Sequence, residues 1–260
     1  MRGRSEYART AATLRPRPQA PATRPGIHVP PGVHHGGRVP AAHLELCGSS
    51  QELYLDDFAE SERFVLETCM YFPFTTAKAI AGFGQEHSRW IGAFPRLQMI
   101  LVLACDEVDA YNRVTIDRHG RPVVHYRFTP DVVRGLGAGA ARSAKIFFAA
   151  GAVRAHMPLG RSTIIESRDV GRVDQIAQRA EFKPGKVPVS AAHLQGGCAM
   201  GSGPEDSVTD SYGRVHGIPW LFVADSSLFP NSLEINPYLT IMALADRAAE
   251  AIRRQARTLL

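Results

Sequence analysis

The sequence predicts an α+β chain in which a helix-covered antiparallel region leads into a strand and helix of α/β type. Three patterns point there. An apolar run, RLQMILVLACD (Arg96 to Asp106), reads as a buried strand, and RVTIDRHGRPVVHYRF (Arg113 to Phe128) reads as a hairpin. Near the end, WLFVAD (Trp220 to Asp225) precedes a long amphipathic segment, INPYLTIMALADRAAEAIRRQ (Ile235 to Gln255).

Along the chain, residues 1–50 come first and differ from the rest. They carry seven arginines against two acids, which accounts for the whole net charge of +5, and seven of the 18 prolines. With so few large apolar residues the segment cannot offset its ordering entropy, so a disordered or irregular extended tail is expected. The other 210 residues sum to zero charge. A nucleic-acid role would therefore rest on the tail alone and lack specificity, so no specific nucleic-acid partner is expected. The absence of a long apolar run, and of an apolar segment behind the N-terminal arginines, argues against a membrane span or secretory signal; a cytoplasmic protein is expected. Cys47, Cys69, Cys105 and Cys198 form no C-x-x-C pair, which favours reduced thiols over a zinc or dithiol site.

Regular elements begin near residue 51. The hairpin turn falls at Asp117 to Gly120. Thr129, Pro130 and Asp131 signal a helix start, and the segment through Ala150 offers Ile146, Phe147 and Ala150 for packing. Within it lies GLGAGA (Gly135 to Ala140), which satisfies G-x-G-x-x-[GA] in form. A dinucleotide fingerprint needs a strand before its first glycine, whereas TPDVVR reads as a helix start, so the small residues are assigned to packing. WLFVAD is expected as a buried strand delivering Asp225 at its carboxyl end, the edge where open α/β sheets bind ligands. In the last helix Asn236 is placed as N-cap and Pro237 at the first helical position. Ile241, Leu244, Ala245, Ala248 and Ile252 form its apolar stripe, and Arg253, Arg254 and Arg257 complement its dipole.

One further stretch is HLQGGCAMG, His193 to Gly201. Taken singly, His193 reads as a hydrogen-bonded structural residue, Asp225 as a strand terminator and Asn236 as a cap. In their fixed order, HLQGGCAMG, SVTDSYGRVHGIPWLFVADSSLFP and INPYLTIMALADR resemble the C-terminal signature of the glucose-methanol-choline (GMC) family of FAD-dependent oxidoreductases. YLDDF (Tyr54 to Phe58), FVLET (Phe64 to Thr68), DRHGRPVVHYRF and AAGA (Ala149 to Ala152) resemble, less tightly, the substrate domain of its long-chain alcohol oxidase and sterol-oxidase-like branch.

The resemblance implies a substrate domain over residues 51–190, with an antiparallel sheet and helices. Residues 191–260 would be the final strand and helix of a Rossmann-like FAD domain whose N-terminal G-x-G-x-x-G part is missing here. It implies His193 and Asn236 as the catalytic pair, with Asp225, Asn236, Pro237 and Tyr238 toward FAD and a small-molecule alcohol as substrate. Elementary chemistry agrees: alcohol oxidation releases a proton that a neutral imidazole can accept, while an amide can orient the oxygen. Gly196 and Gly197 are expected to let the backbone pass close to the flavin, with Cys198 in packing. A separate FAD-binding chain is an implied partner, the alternative being a truncated, inactive remnant or complementing subunit with an exposed apolar patch.

Overall fold

The computed structural model describes residues 24–36, 53–69, 72–80, 82–159, 162–179, 186–187 and 189–259. The chain divides into two compact units. One comprises Ile27–Cys105 and Phe128–Ala192, and the other Asp106–Arg127 and His193–Leu260, together with the chain before Ile27.

The first unit is a mixed sheet-and-helix structure. Strands β1 (Arg24–Gly36), β2 (Tyr54–Leu55), β3 (Phe64–Cys69), β4 (Leu97–Ala104), β7 (Ala152–Pro158) and β8 (Ser162–Glu166) run in the order β2-β3-β4-β1-β7-β8, and β9 (Ser190–Gln195) pairs β1 off this path. The neighbouring pairs along that order are antiparallel. Residues 24–36 thus form a strand where composition alone suggests an irregular tail, because β4 and β7 offer backbone partners on both sides. Pro30 and Pro31, which have no N–H to give, fall where the β1–β4 register shifts between Val29 and Gly32. The remainder of residues 1–50, including Cys47, lies outside the described residues.

Helix α4 (Pro130–Ala149) covers one face of this sheet. Thr129 caps it, its hydroxyl accepting the Val132 N–H at 3.3 Å, with Pro130 in the first turn. The GLGAGA run sits inside the helix and permits close approach. A Cβ at Gly135 would lie 2.6 Å from the Arg63 carbonyl oxygen, and one at Gly139 would overlap Val102 Cγ1 and the Phe64 ring. Phe147 is buried as expected, whereas Ile146 and Ala150 are exposed. The β4 run Met99 to Ala104 is buried throughout. Its even-numbered side chains lie on the α4 face, and Leu101 and Leu103 join Val65 and Cys105 in a cluster on the other. Beside them Met99 packs with Ile80 and with Trp90 of α3 (Gln85–Gly92), the second helix after α1 (Ala59–Glu62) and α2 (Pro73–Ala79). The other end of α4 packs Ala140, Ala141 and Ala144 on Ala155, Met157, Ile165 and Val173, the last from α5 (Val173–Gln178).

The second unit contains the hairpin of β5 (Arg113–Ile116) and β6 (Pro122–His125), in register Arg113↔His125 to Ile116↔Pro122. Its turn is where the sequence places it: Gly120 has φ 74°, and Asp117 accepts the His119 and Arg121 N–H groups. At its base Asn112 exchanges hydrogen bonds with the Arg127 backbone, and buried Asp106 accepts from the Tyr126 hydroxyl at 3.0 Å. The unit ends in α6 (Tyr238–Leu259).

Two details of this unit differ from the sequence reading. WLFVAD is no regular strand: it makes a single bridge, Arg214↔Phe222, and Trp220 is exposed. A strand needs a neighbour along its length, and among the described residues only the 208–215 loop lies alongside. Helix α6 begins one residue later than predicted, since its first ladder bond runs from the Ile241 N–H to the Pro237 carbonyl. Pro237 is therefore the cap residue, and Asn236 stands one position before it.

Candidate functional site

All five residues singled out by sequence, His193, Asp225, Asn236, Pro237 and Tyr238, fall in the second unit. His193 lies in β9, where burial alternates with period two: Ala191, His193 and Gln195 are on the sheltered face, and Ala192 and Leu194 are exposed. Partial burial pushes the His193 imidazole below its ordinary value, because the charged ring would lose hydration. The neutral ring is consequently the favoured form at pH 7.

Immediately after β9 the chain turns through Gly196 (φ 80°) and Gly197 (φ 107°), conformations that a side chain would strain. This turn lays the next residues against the segment behind Asp225. The N–H groups of Gly196, Cys198 and Met200 donate in succession to the carbonyls of Ser226, Ser227 and Leu228, at 3.1, 2.9 and 2.9 Å. Asp225 in turn caps the short 3-10 turn Ser226–Leu228, its Oδ1 accepting the Ser227 N–H at 2.8 Å and the Ser227 hydroxyl. The two glycines therefore fix His193 and Asp225 to one backbone frame. Burial raises the Cys198 thiol, which keeps it protonated and fits the packing role assigned to it.

The rest of the frame is a knot of short bridges that sequence patterns missed. Met200↔Thr209, Thr209↔Val215 and Arg214↔Phe222 join it, and Val223 donates to the Gly213 carbonyl at 2.8 Å. Gly213 (φ 77°) was the one available signal, since any Cβ there would overlap the Val223 carbonyl oxygen. Ser207 and His216 Nε2 lie 3.0 Å apart and suggest a nucleophile and base. The Ser207 hydroxyl hydrogen, however, goes to the Gly203 carbonyl at 2.6 Å, so the imidazole must donate and the pair is structural.

Past this frame, Asn236 is half-buried, with its Oδ1 atom shielded from solvent. Tyr238, Leu239 and Thr240 open α6, and their N–H groups precede its ladder, giving the positive end of the dipole. Ile241, Leu244, Ala245 and Ala248 are sheltered as expected, but Ile252 is 46% exposed. A separate apolar row, Ile235 (56%), Tyr238 (61%), Leu239 (63%) and Met242 (55%), faces outward at the head of the helix.

These residues suit part of a flavin. An exposed carboxylate at Asp225, a helix head with unladdered N–H groups and a neutral imidazole provide acceptors, donors and a proton sink. The chain's G-x-G-x-x-[GA] match is buried in α4 and cannot cradle a diphosphate. Among the described residues no group of three or more His, Cys, Asp or Glu could hold a metal, and no helix is long and apolar enough to cross a membrane.

Comparison with known proteins adds four likenesses. The family model for GMC oxidoreductases matches residues 109–245, more than half of the chain. An uncharacterised GMC-type oxidoreductase of Mycobacterium tuberculosis is 27% identical over 203 residues, 78% of this chain and 31% of the relative. A long-chain-alcohol oxidase of Arabidopsis thaliana is 32% identical over 136 residues, covering 50% of this chain and 18% of the relative. In fold, a formate oxidase of Aspergillus oryzae superposes with a TM-score of 0.58 at 14% identity, over 93% of this chain and 48% of that one. The chain thus spans under a third of these curated relatives and about half of that solved structure.

Proposed function

The chain belongs to the GMC oxidoreductase family, and from that premise we propose that it forms the substrate-facing and catalytic part of an FAD-dependent enzyme oxidising CH–OH groups. The observation that carries the reading is His193: a neutral imidazole on the sheltered face of β9, tied through the glycine turn to the backbone behind Asp225. His193 takes the hydroxyl proton of the alcohol on its unprotonated ring nitrogen, and the Asn236 amide orients the oxygen. FAD, when bound, supplies the hydride acceptor for the carbinol C–H. Asp225 and the Tyr238 backbone would hold it, and the head of α6 favours negative charge beside it. A long-chain alcohol is the favoured substrate class, since the Arabidopsis relative named for that activity aligns over half of the chain.

A second reading, a subunit that completes its flavin site with a separate β–α–β nucleotide cradle, is favoured by the exposed row Ile235, Tyr238, Leu239 and Met242.

Two measurements test these readings. The visible spectrum of the purified chain with FAD should show a perturbed flavin band; a free-flavin spectrum at saturating FAD favours the complementing subunit. In the flavin-loaded protein, His193→Ala should slow anaerobic flavin reduction by 1-dodecanol about 100-fold or more. An unchanged rate with this and shorter alcohols would remove His193 as the base.

A further inference from the structure

We propose that Gln195 is a positioning residue, whose buried amide holds the Asn236 loop at a set distance from the strand that carries His193; this rests on the reading of His193 and Asn236 as the acting pair. Gln195 is two residues after His193 and on the same face of β9. Adjacent same-face residues of a strand stand about 6.6 Å apart. Its side chain is buried, 4% exposed, and its Oε1 accepts the Leu233 N–H at 3.1 Å across 38 residues of sequence. A buried acceptor with a partner so distant in sequence is a tether rather than a local turn.

Leu233 lies three residues before Asn236, a span of about 10 Å at full extension, so the tether bounds the wandering of Asn236 relative to β9. Two features shorten that leash. Glu234 adopts φ 59°, one of only two left-handed non-glycine residues among those described, so the chain bends sharply just after the anchor. Pro237 then fixes φ just after Asn236 and caps α6. A left-handed glutamate persists only where its surroundings hold it; the Ser232 hydroxyl accepts the Glu234 N–H at 3.4 Å, and the Gln195 bond adds a second constraint one residue earlier, at Leu233. The glycine turn secures His193 on one side of the site, and Gln195 secures Asn236 on the other.

The test compares Gln195→Leu, which keeps the volume and removes the acceptor, with Gln195→Glu, which keeps an acceptor. In the full chain, hydrogen exchange over residues 230–237 should quicken about tenfold in Gln195→Leu and stay within about twofold of the parent in Gln195→Glu, while α4 exchanges as before. In the flavin-loaded protein, the limiting rate of flavin reduction by 1-dodecanol should fall about 10- to 100-fold in Gln195→Leu, with half-saturation little changed and Gln195→Glu restoring the rate. If Gln195→Leu does not fold, Gln195→Asn, a methylene too short to reach Leu233, replaces it under the same expectations. Unchanged exchange at 230–237, or quickened exchange with an undiminished rate, overturns the positioning role and leaves His193 and Asn236 untouched. Undiminished rates in both His193→Ala and Asn236→Ala would instead sink the reading on which it rests, whatever Gln195 does.

Discussion

At the scale of the residue, burial decides what His193 can do. A group whose folded value is lowered prefers to stay neutral in the folded protein, so acidification protonates the unfolded chain first and costs stability below the ordinary histidine range. The same sign governs activity: the lowered value favours the base form at pH 7, and that form is lost in more acidic solution. The pH profile of flavin reduction should accordingly show an acid limb centred below about 6.5, the unperturbed imidazole value. A limb at or above that value would show that the imidazole which matters is not the half-buried one. Cysteines follow the same logic in the other direction. Burial first, and the Glu67 charge second, push the Cys69 thiol up to about 12, so it stays protonated and inert at neutral pH.

At the scale of the element, glycines mark where backbones must meet. Gly139 of α4 faces Val102 and Phe64 with no room for a methyl group. Gly139→Ala should therefore lower stability by about 1–3 kcal/mol, the usual cost of overpacking, even though alanine is the better helix former. The control is Gly92→Ala in α3, where nothing lies within 4 Å of the added methyl group. Chemical denaturation of both variants measures this, and equal stabilities would mean that α4 can lift from the sheet at no cost. In β1 the device is reversed, with two prolines at the register shift occupying the place where ladder bonds are already lost.

At the scale of the whole molecule, the outward row at the head of α6 is the feature that calls for a cover. Four large apolar side chains there are each more than half exposed, and Tyr238 is itself one of the residues proposed to hold the cofactor. Such a row binds apolar dyes and promotes association. The double variant Leu239→Lys, Met242→Lys should reduce anilinonaphthalene sulfonate fluorescence by about half relative to the parent. Undiminished fluorescence would place the sticky surface elsewhere, for instance at Phe72, Phe74 and Phe83, which are also exposed.

The hairpin at Asp117 to Gly120, the α4 start at Thr129 and the packing role of Gly135 and Gly139 were all legible in the sequence. Each depends on local turn chemistry, capping or residue size, which a short window contains. The order of HLQGGCAMG, WLFVAD and INPYLTIMALADR pointed to the family in the same way. Tertiary structure alone decided that residues 24–36 pair into the sheet, that WLFVAD runs as an irregular segment beside Arg214, and that Pro237 rather than Asn236 caps α6. It alone also joined Gln195 to Leu233 across 38 residues. Local propensity settles which conformations a segment prefers, whereas hydrogen-bond partners and burial are properties of whatever else is nearby in space.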